Sequence, residues 1–180
     1  MPAYSLDVVY SSSVNPAVSQ QNNPITPIVM AYGFACSMST QTGKFAEDGQ
    51  KAEIVAKNSS FQFNVVDTDS NASQTTILDI LITFSGISGQ GPGSPLVDSN
   101  GNVVNEIHVV GPITPQYVTS YGCNVTGYGW SSSQQGLTYT AQNVGNFECI
   151  VYVTVQLSAN NSNKKVYFQV DPEIDVEAAG

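Results

Sequence analysis

Residues 147–157 read F-E-C-I-V-Y-V-T-V-Q-L, and this stretch decides the class of fold. Every second position from Phe147 to Leu157 carries an apolar side chain. This period of two is typical of a β-strand with one face in a core, because successive side chains point to opposite sides of a strand. The segment A-N-N-S-N (159–163) and the alternating run K-K-V-Y-F-Q-V (164–170) follow, and together they predict a hairpin.

The same alternation recurs along most of the chain, for example at Leu6 and Val8, at Phe61 and Phe63, and at residues 75–85 and 102–110. We predict about eight to ten mostly antiparallel strands and little helix. At 180 residues, the most economical arrangement is one all-β domain spanning residues 1–180. Short strands at such spacing indicate a β-sandwich of jelly-roll or Ig-like type.

Three local predictions are more specific. Residues 51–57 should pair with 61–66 as a hairpin, with Ala52, Ile54 and Ala56 facing the core. Residues 45–51 are the only candidate for a helical turn. Residues 115–139, rich in Tyr, Gly and Ser, should be irregular.

The charge composition excludes several classes of partner. Only 11% of residues are charged, all five basic residues are lysines, and the net charge is −9. Such a surface repels nucleic acid and anionic membranes, and without arginine it offers no bidentate clamp for phosphate. No stretch has the length of a membrane span and no leader pattern precedes the first strand, so we expect a cytoplasmic protein.

Residues suited to catalysis are few. The single histidine, His108, lies beside Glu106 on one face of a predicted strand, but no serine or cysteine occupies a nucleophile elbow. The three cysteines have no metal-ligand spacing, and Cys149 falls on the core face of its strand. These features favour a protein that is not an enzyme and needs no cofactor.

Calcium binding is an alternative that the acidic residues leave open. Asp67 and Asp69 have the opening oxygen spacing of a calcium loop, but the rest of the EF-hand pattern is missing. An Asx-rich turn explains the same residues without a metal. If calcium binds, Asp171 and Asp175 near the C-terminus are further candidate ligands.

Carbohydrate binding is a second alternative. The segment Y-G-C-N-V-T-G-Y-G-W brings Tyr121, Asn124, Tyr128 and Trp130 close together in sequence. Aromatic rings with an amide nearby can stack on and hydrogen-bond to a pyranose. The competing interpretation is that these aromatic residues close one end of the sandwich.

The C-terminal segment Y-F-Q-V-D-P-E-I-D-V (167–176) places acids at every second position, which protects a terminal strand from edge-to-edge pairing. This segment resembles the close of the AidA/PixA family of bacterial inclusion-body proteins. The segments S-L-D-V-V-Y-S-S-S-V (5–14) and P-I-T-P-I-V-M-A-Y-G-F (24–34) resemble the family's first two strands. Asp171 and Pro172 match its Asp-Pro motif, where they would serve structure, whereas Val170 stands where the family usually has tryptophan.

The resemblance implies a β-rich cytosolic protein that is abundant, linked with inclusion bodies and often regulated by quorum sensing in host-associated bacteria. It implies no catalytic residues. We therefore expect a non-enzymatic protein that acts by self-association as a homo-oligomer. A lectin-like, calcium-assisted glycan-binding module is the alternative.

Overall fold

The structure is a computed structural model, and it describes eight stretches of the chain. These are residues 3–10, 30–36, 44–46, 53–67, 75–87, 91–119, 126–157 and 164–178. Asp69, Tyr121 and Asn124, three of the predicted site residues, lie outside them.

Within these stretches the chain forms fourteen strands and one 3₁₀ turn, which confirms an all-β fold. The strands are β1 (Ala3–Tyr10), β2 (Met30–Cys36), β3 (Lys44–Ala46), β4 (Glu53–Ala56), β5 (Ser60–Asp67), β6 (Thr75–Gly86), β7 (Leu96–Val97), β8 (Glu106–Ile113), β9 (Gln116–Thr119), β10 (Thr126–Ser131), β11 (Tyr139–Ala141), β12 (Gly145–Leu157), β13 (Lys164–Val170) and β14 (Glu173–Glu177). The count exceeds the predicted eight to ten because short strands such as β7 and β11 are too brief to show a period.

The strands form two sheets. Sheet A has the order β3-β2-β1-β5-β10-β9, with β11 also beside β5 and β7 beside β11. Sheet B has the order β4-β14-β12-β6-β8, and β13 also pairs with β12. The pairs β1–β5 and β14–β4 are parallel and the other described pairs are antiparallel.

One hydrophobic core joins the two sheets, as a β-sandwich requires. Phe63 of sheet A meets Phe84 of sheet B with ring centroids 5.9 Å apart. The predicted inward face of β12 is confirmed, because Phe147, Cys149 and Val151 are all buried. Alternate side chains therefore fill the space between the layers while their neighbours point outward.

The short strand β4 corrects two predictions. It does not form a hairpin with β5; instead it pairs with β14 in sheet B, while β5 belongs to sheet A. Asn58, with a positive φ of 68°, lies in the turn that carries the chain between the sheets. The inward face was also assigned wrongly, because Val55 is fully buried whereas Ile54 is 50% exposed.

Two other local predictions do not hold where they are tested. Residues 45 and 46, the start of the predicted helical turn, lie in strand β3, and the rest of that turn, residues 47–51, lies outside the described stretches. The segment 115–139 contains strands β9 and β10, which pair with each other. Glycine at alternate positions of β10 hides its period, because a glycine has no side chain to mark a face.

A β-bulge in β6 changes the face that its first residues present. The register with β8 and the register with β12 both shift between Ile77 and Asp79. Ile77 and Ile80 are consequently both buried, although they are three residues apart. Asp79 lies past the bulge, in the regular part of β6, on the side of sheet B that faces away from the core, where it meets His108.

Candidate functional site

The side of sheet B that faces away from the core is the most distinctive exposed surface of the described part of the chain. We call it the outer face. Its side chains come from β13 and β14 (Lys165, Tyr167, Gln169, Glu173), β12 (Glu148, Ile150, Tyr152, Thr154, Gln156), β6 (Thr76, Asp79, Leu81, Thr83, Ser85) and β8 (Glu106, His108, Val110).

Strand register arranges these side chains in rows across the sheet. One row reads Tyr167, Thr154, Asp79, Val110, and the next reads Gln169, Tyr152, Leu81, His108. Val110 is 73% exposed, Tyr167 46% and Tyr152 38%. The middle of the outer face therefore combines exposed aromatic and aliphatic side chains with polar ones, among them the pair of Asp79 and His108.

Strands β13 and β14 lie in one lane along the same edge of β12. β13 pairs with residues 151–157 of β12, and β14 pairs with residues 145–148. The break between them is at Asp171-Pro172, where the carbonyl of buried Pro172 accepts a hydrogen bond from the amide of Cys149 at 2.9 Å. Proline cannot donate to the sheet, so the lane is interrupted there without leaving a donor unpaired.

Charge is distributed unevenly along this lane. Lys165 stands at one end, opposite Gln156. At the other end Glu173 lies directly opposite Glu148, and Asp175 follows it opposite Asn146. Like charges directly opposite each other destabilise a strand pair, so this acidic end would be stabilised by an added cation.

His108 bonds to Asp79 rather than to its sequence neighbour Glu106. The His108 Nε2 atom lies 2.7 Å from Asp79 Oδ1, and the two side chains are 45% and 37% exposed. In the described stretches no hydroxyl or thiol shares a hydrogen bond with this ring, so the pair has no nucleophile to activate. An exposed pair of this kind contributes at most about 1 kcal/mol to stability.

Cys149 has none of the features of a reactive cysteine. Its side chain is fully buried, and burial together with the negative charge of Glu148 raises the pKa of the thiol far above its ordinary value. A cysteine nucleophile needs the thiolate form near neutral pH, which this environment opposes.

The structure separates the residues predicted to bind sugar. Trp130 is only 2% exposed and packs in the core, so its ring is not available for stacking. Tyr128 is 41% exposed and lies beside Tyr117, with ring centroids 5.7 Å apart and planes at 78°. Sequence reasoning missed Tyr117, since only the pairing of β9 with β10 brings it to Tyr128.

The acids proposed as calcium ligands lie in different sheets. Asp67 is buried at the end of β5 in sheet A, whereas Asp171 and Asp175 lie in the lane of sheet B that β13 and β14 form. With its amide nitrogen turned toward Asp175, Asn146 donates to both carboxylate oxygens at 2.9 and 3.2 Å. Over the residues that are described, no three His, Cys, Asp or Glu side chains are grouped to hold a metal ion.

A small pocket opens near the start of β5. It has a volume of about 130 Å³ and is lined in part by Tyr4, Phe61, Leu137 and Tyr139. Sites for small organic ligands usually measure about 300–1,000 Å³. This pocket is therefore a weaker candidate than the outer face.

Among the described residues there is also no helix with the length and apolarity to span a membrane.

Comparisons with known proteins find similarity among solved structures only. No protein-family model matches the chain, and no curated protein matches it by sequence. Among solved structures, the chain is similar to the crystal structure of an inclusion body protein, PixA, from Burkholderia cenocepacia. The two share 10% sequence identity and a TM-score of 0.48, with 97% of this chain and 95% of that chain covered. PixA is also the family that the ends of this sequence resemble.

Proposed function

We propose that this protein is a non-enzymatic, inclusion-body-type protein that accumulates in the cytoplasm and acts by self-association. The observation that carries the proposal is the set of exposed apolar and aromatic side chains on the outer face. Tyr167 and Tyr152 are exposed on the neighbouring strands β13 and β12, and Val110 is exposed on β8, on the far side of β6. Tyrosine is enriched at protein–protein interfaces, and its rigid ring gives a large contact area at low cost in entropy.

The low charge density supports the same proposal. Charged residues make up 11% of the sequence, against about 25% in an average soluble domain. A surface rich in uncharged polar groups costs less to desolvate than one of lysine and glutamate. The net charge of −9 opposes association at low ionic strength, and salt screens that repulsion over about 8 Å under physiological conditions.

Sedimentation velocity over a concentration series tests the proposal. In about 150 mM salt we expect dimers or larger species at moderate protein concentration. The variant Tyr152→Ser should shift the distribution toward monomer, because it removes an exposed ring from the middle of the outer face. Tyr117→Ser is the matched control, since Tyr117 is exposed on sheet A. A strict monomer up to millimolar concentration would contradict the proposal.

Control of expression by quorum sensing and a role in association with a host belong to the same proposal. Both are implied by the resemblance of the chain ends to the AidA/PixA family. A transcript measurement at low and high cell density checks the first implication. Equal transcript levels at both densities would contradict it.

A second candidate function is glycan binding at the edge of sheet A. It is favoured by the pair of exposed rings of Tyr117 and Tyr128. Gln134 lies alongside and donates to the carbonyl of Tyr117 at 2.8 Å. A glycan array with and without calcium tests this function, with Tyr117→Ala and Tyr128→Ala as the variants expected to lose binding. Silence of the wild-type protein under both conditions would exclude it.

A further inference from the structure

We propose that two copies of the chain pack outer face against outer face, related by a two-fold axis that runs perpendicular to the strands of sheet B. The inference rests on the proposed self-association and adds the partner surface and its orientation. In this arrangement each surface residue meets a partner residue from the same lane of the other copy.

Symmetry allows two simple ways to place two such faces together. An axis parallel to the strands keeps their direction, so that the row of Lys165 faces the row of Lys165 of the other copy and the acidic row of Glu173 faces the same acidic row. An axis perpendicular to the strands reverses their direction and brings opposite ends of each lane together. Because Lys165 and Glu173 lie at opposite ends of one lane, only the second arrangement places unlike charges against each other.

The position of the axis follows from the spacing in this lane. Gln169 lies midway between Lys165 and Glu173, and its row contains Tyr152, Leu81 and His108. An axis over this row places Lys165 of one copy against Glu173 of the other, twice in the dimer. It also places Tyr152 and Leu81 against their own counterparts at the centre, where aromatic and aliphatic anchors contribute most to binding.

The acidic end of the outer face gives this arrangement an energetic reason. Glu148 and Glu173 are directly opposite each other in the isolated chain. The hydrogen bond that Ser85 Oγ donates to Glu148 Oε2 is long, at 3.5 Å, and so compensates little of their repulsion. Lysine from the second copy would add a positive charge beside both carboxylates. Complementary charges of this kind fix the orientation of an interface more than they raise its affinity.

The outer face is also large enough for a stable contact. Four strands about 4.8 Å apart and about eight residues of roughly 3.4 Å each span an area of roughly 500 Å² in projection. Side chains make the accessible area larger than the projection. The accessible area of the outer face is thus of the order of the 800 Å² that each partner supplies in an ordinary interface.

A charge swap tests the pairing of Lys165 with Glu173. We expect Lys165→Glu alone and Glu173→Lys alone each to weaken the dimer by about tenfold or more, and the double variant to restore it. Glu173→Lys is the sharper single change, because it makes the net charge less negative and should strengthen association if only overall repulsion mattered. Glu177→Lys, with the same change of charge on an exposed residue of β14 beyond the paired rows, is the control.

Crosslinking tests the position of the axis independently. Gln169 lies in the row under the axis, and facing sheets lie about 10 Å apart, so the variant Gln169→Cys should be linked to its own counterpart by a short bismaleimide crosslinker, with the linked peptide identified by mass spectrometry. Tyr128→Cys on sheet A should not. A dimer that is insensitive to the charge swap and forms no link at position 169 would overturn this arrangement while leaving self-association intact. A protein that is monomeric throughout would overturn both.

Discussion

Asn64 donates a hydrogen bond from Nδ2 to Asp7 Oδ1, at 2.6 Å, across the parallel pair of β1 and β5. Both side chains are fully buried on the side of sheet A opposite the shared core, and Ser5 donates to the other carboxylate oxygen at 3.2 Å. Burying a carboxylate is costly unless donors replace its water. A slip of one residue between β1 and β5 would break these contacts, so they help to fix the register.

Replacing Asn64 should therefore be strongly destabilising. We expect Asn64→Leu to lower the free energy of unfolding by about 2–4 kcal/mol, because Asp7 loses a short buried hydrogen bond. Urea denaturation measures the change. Gln62→Leu is the control on the same face, since the Gln62 amide reaches Asn64 only at 3.5 Å. Equal losses for the two variants would contradict this account of the pair.

Close packing of two backbones makes Gly129 irreplaceable. Gly129 lies in β10 opposite Val66, and a Cβ atom added to it would collide with the backbone carbonyl of Val65. Backbone cannot move aside as a flexible side chain does. We therefore expect Gly129→Ala to cost more than about 3 kcal/mol of stability, measured by thermal or urea unfolding.

Gly86→Ala is the matched control for this substitution. Gly86 ends strand β6, and a Cβ atom there would lie 3.6 Å from the Pro92 carbonyl oxygen, an ordinary contact. The change should alter stability by less than about 1 kcal/mol. A loss as large as that of Gly129→Ala would show that the cost does not arise from the collision.

Residues with a clear period of two were predictable from sequence, and those placed by long-range pairing were not. The alternation of β12 gave its buried face, Phe147 to Val155, correctly. By contrast, β4 lies beside β14, more than a hundred residues away in the chain, and this partner reverses the face assigned to Ile54. Local sequence carries no information on such a partner.

The residues of the candidate site, too, were predictable where local alternation places them and not where long-range strand pairing does. His108 was placed correctly on an outward face, but its contact with Asp79 depends on the pairing of β8 with β6, which local sequence does not reveal. Tyr128 was found and Tyr117 was missed, because only the pairing of β9 with β10 joins them. The charged ends of the lane formed by β13 and β14 were visible as alternating residues, whereas their common alignment along β12 needed the structure.

Trp130 is the single tryptophan of the chain, so its fluorescence reports directly on the core. Its side chain is buried and the indole Nε1 has no hydrogen-bond partner in the described structure. We expect a blue-shifted emission that acrylamide quenches weakly. Trp130→Phe should cost less than about 2 kcal/mol because it also removes the unpaired donor, whereas Trp130→Ala should cost about 3–5 kcal/mol. Emission typical of an exposed indole would contradict this placement.

The buried thiol of Cys149 makes stability depend on alkaline pH. Its pKa in the folded chain is raised by burial above the ordinary value of 9.0, so the folded state keeps its proton where the unfolded state loses it. The unfolded state then binds fewer protons, and the free energy of unfolding falls as pH rises. Above about pH 9 this single group should remove about 1.4 kcal/mol of stability per pH unit.

Comparison with Cys149→Ala isolates this contribution from every other titrating group. Tyr139, whose pKa burial also raises, is present in both proteins and cancels in the difference. At pH 7 the alanine variant should be less stable by about 1–2 kcal/mol because it leaves a small cavity. The two stabilities should then converge above about pH 9 and cross between about pH 9.5 and 10.5, measured by urea denaturation under reducing conditions. Parallel pH profiles would show that the thiol is ionised in the folded chain as readily as in the unfolded one.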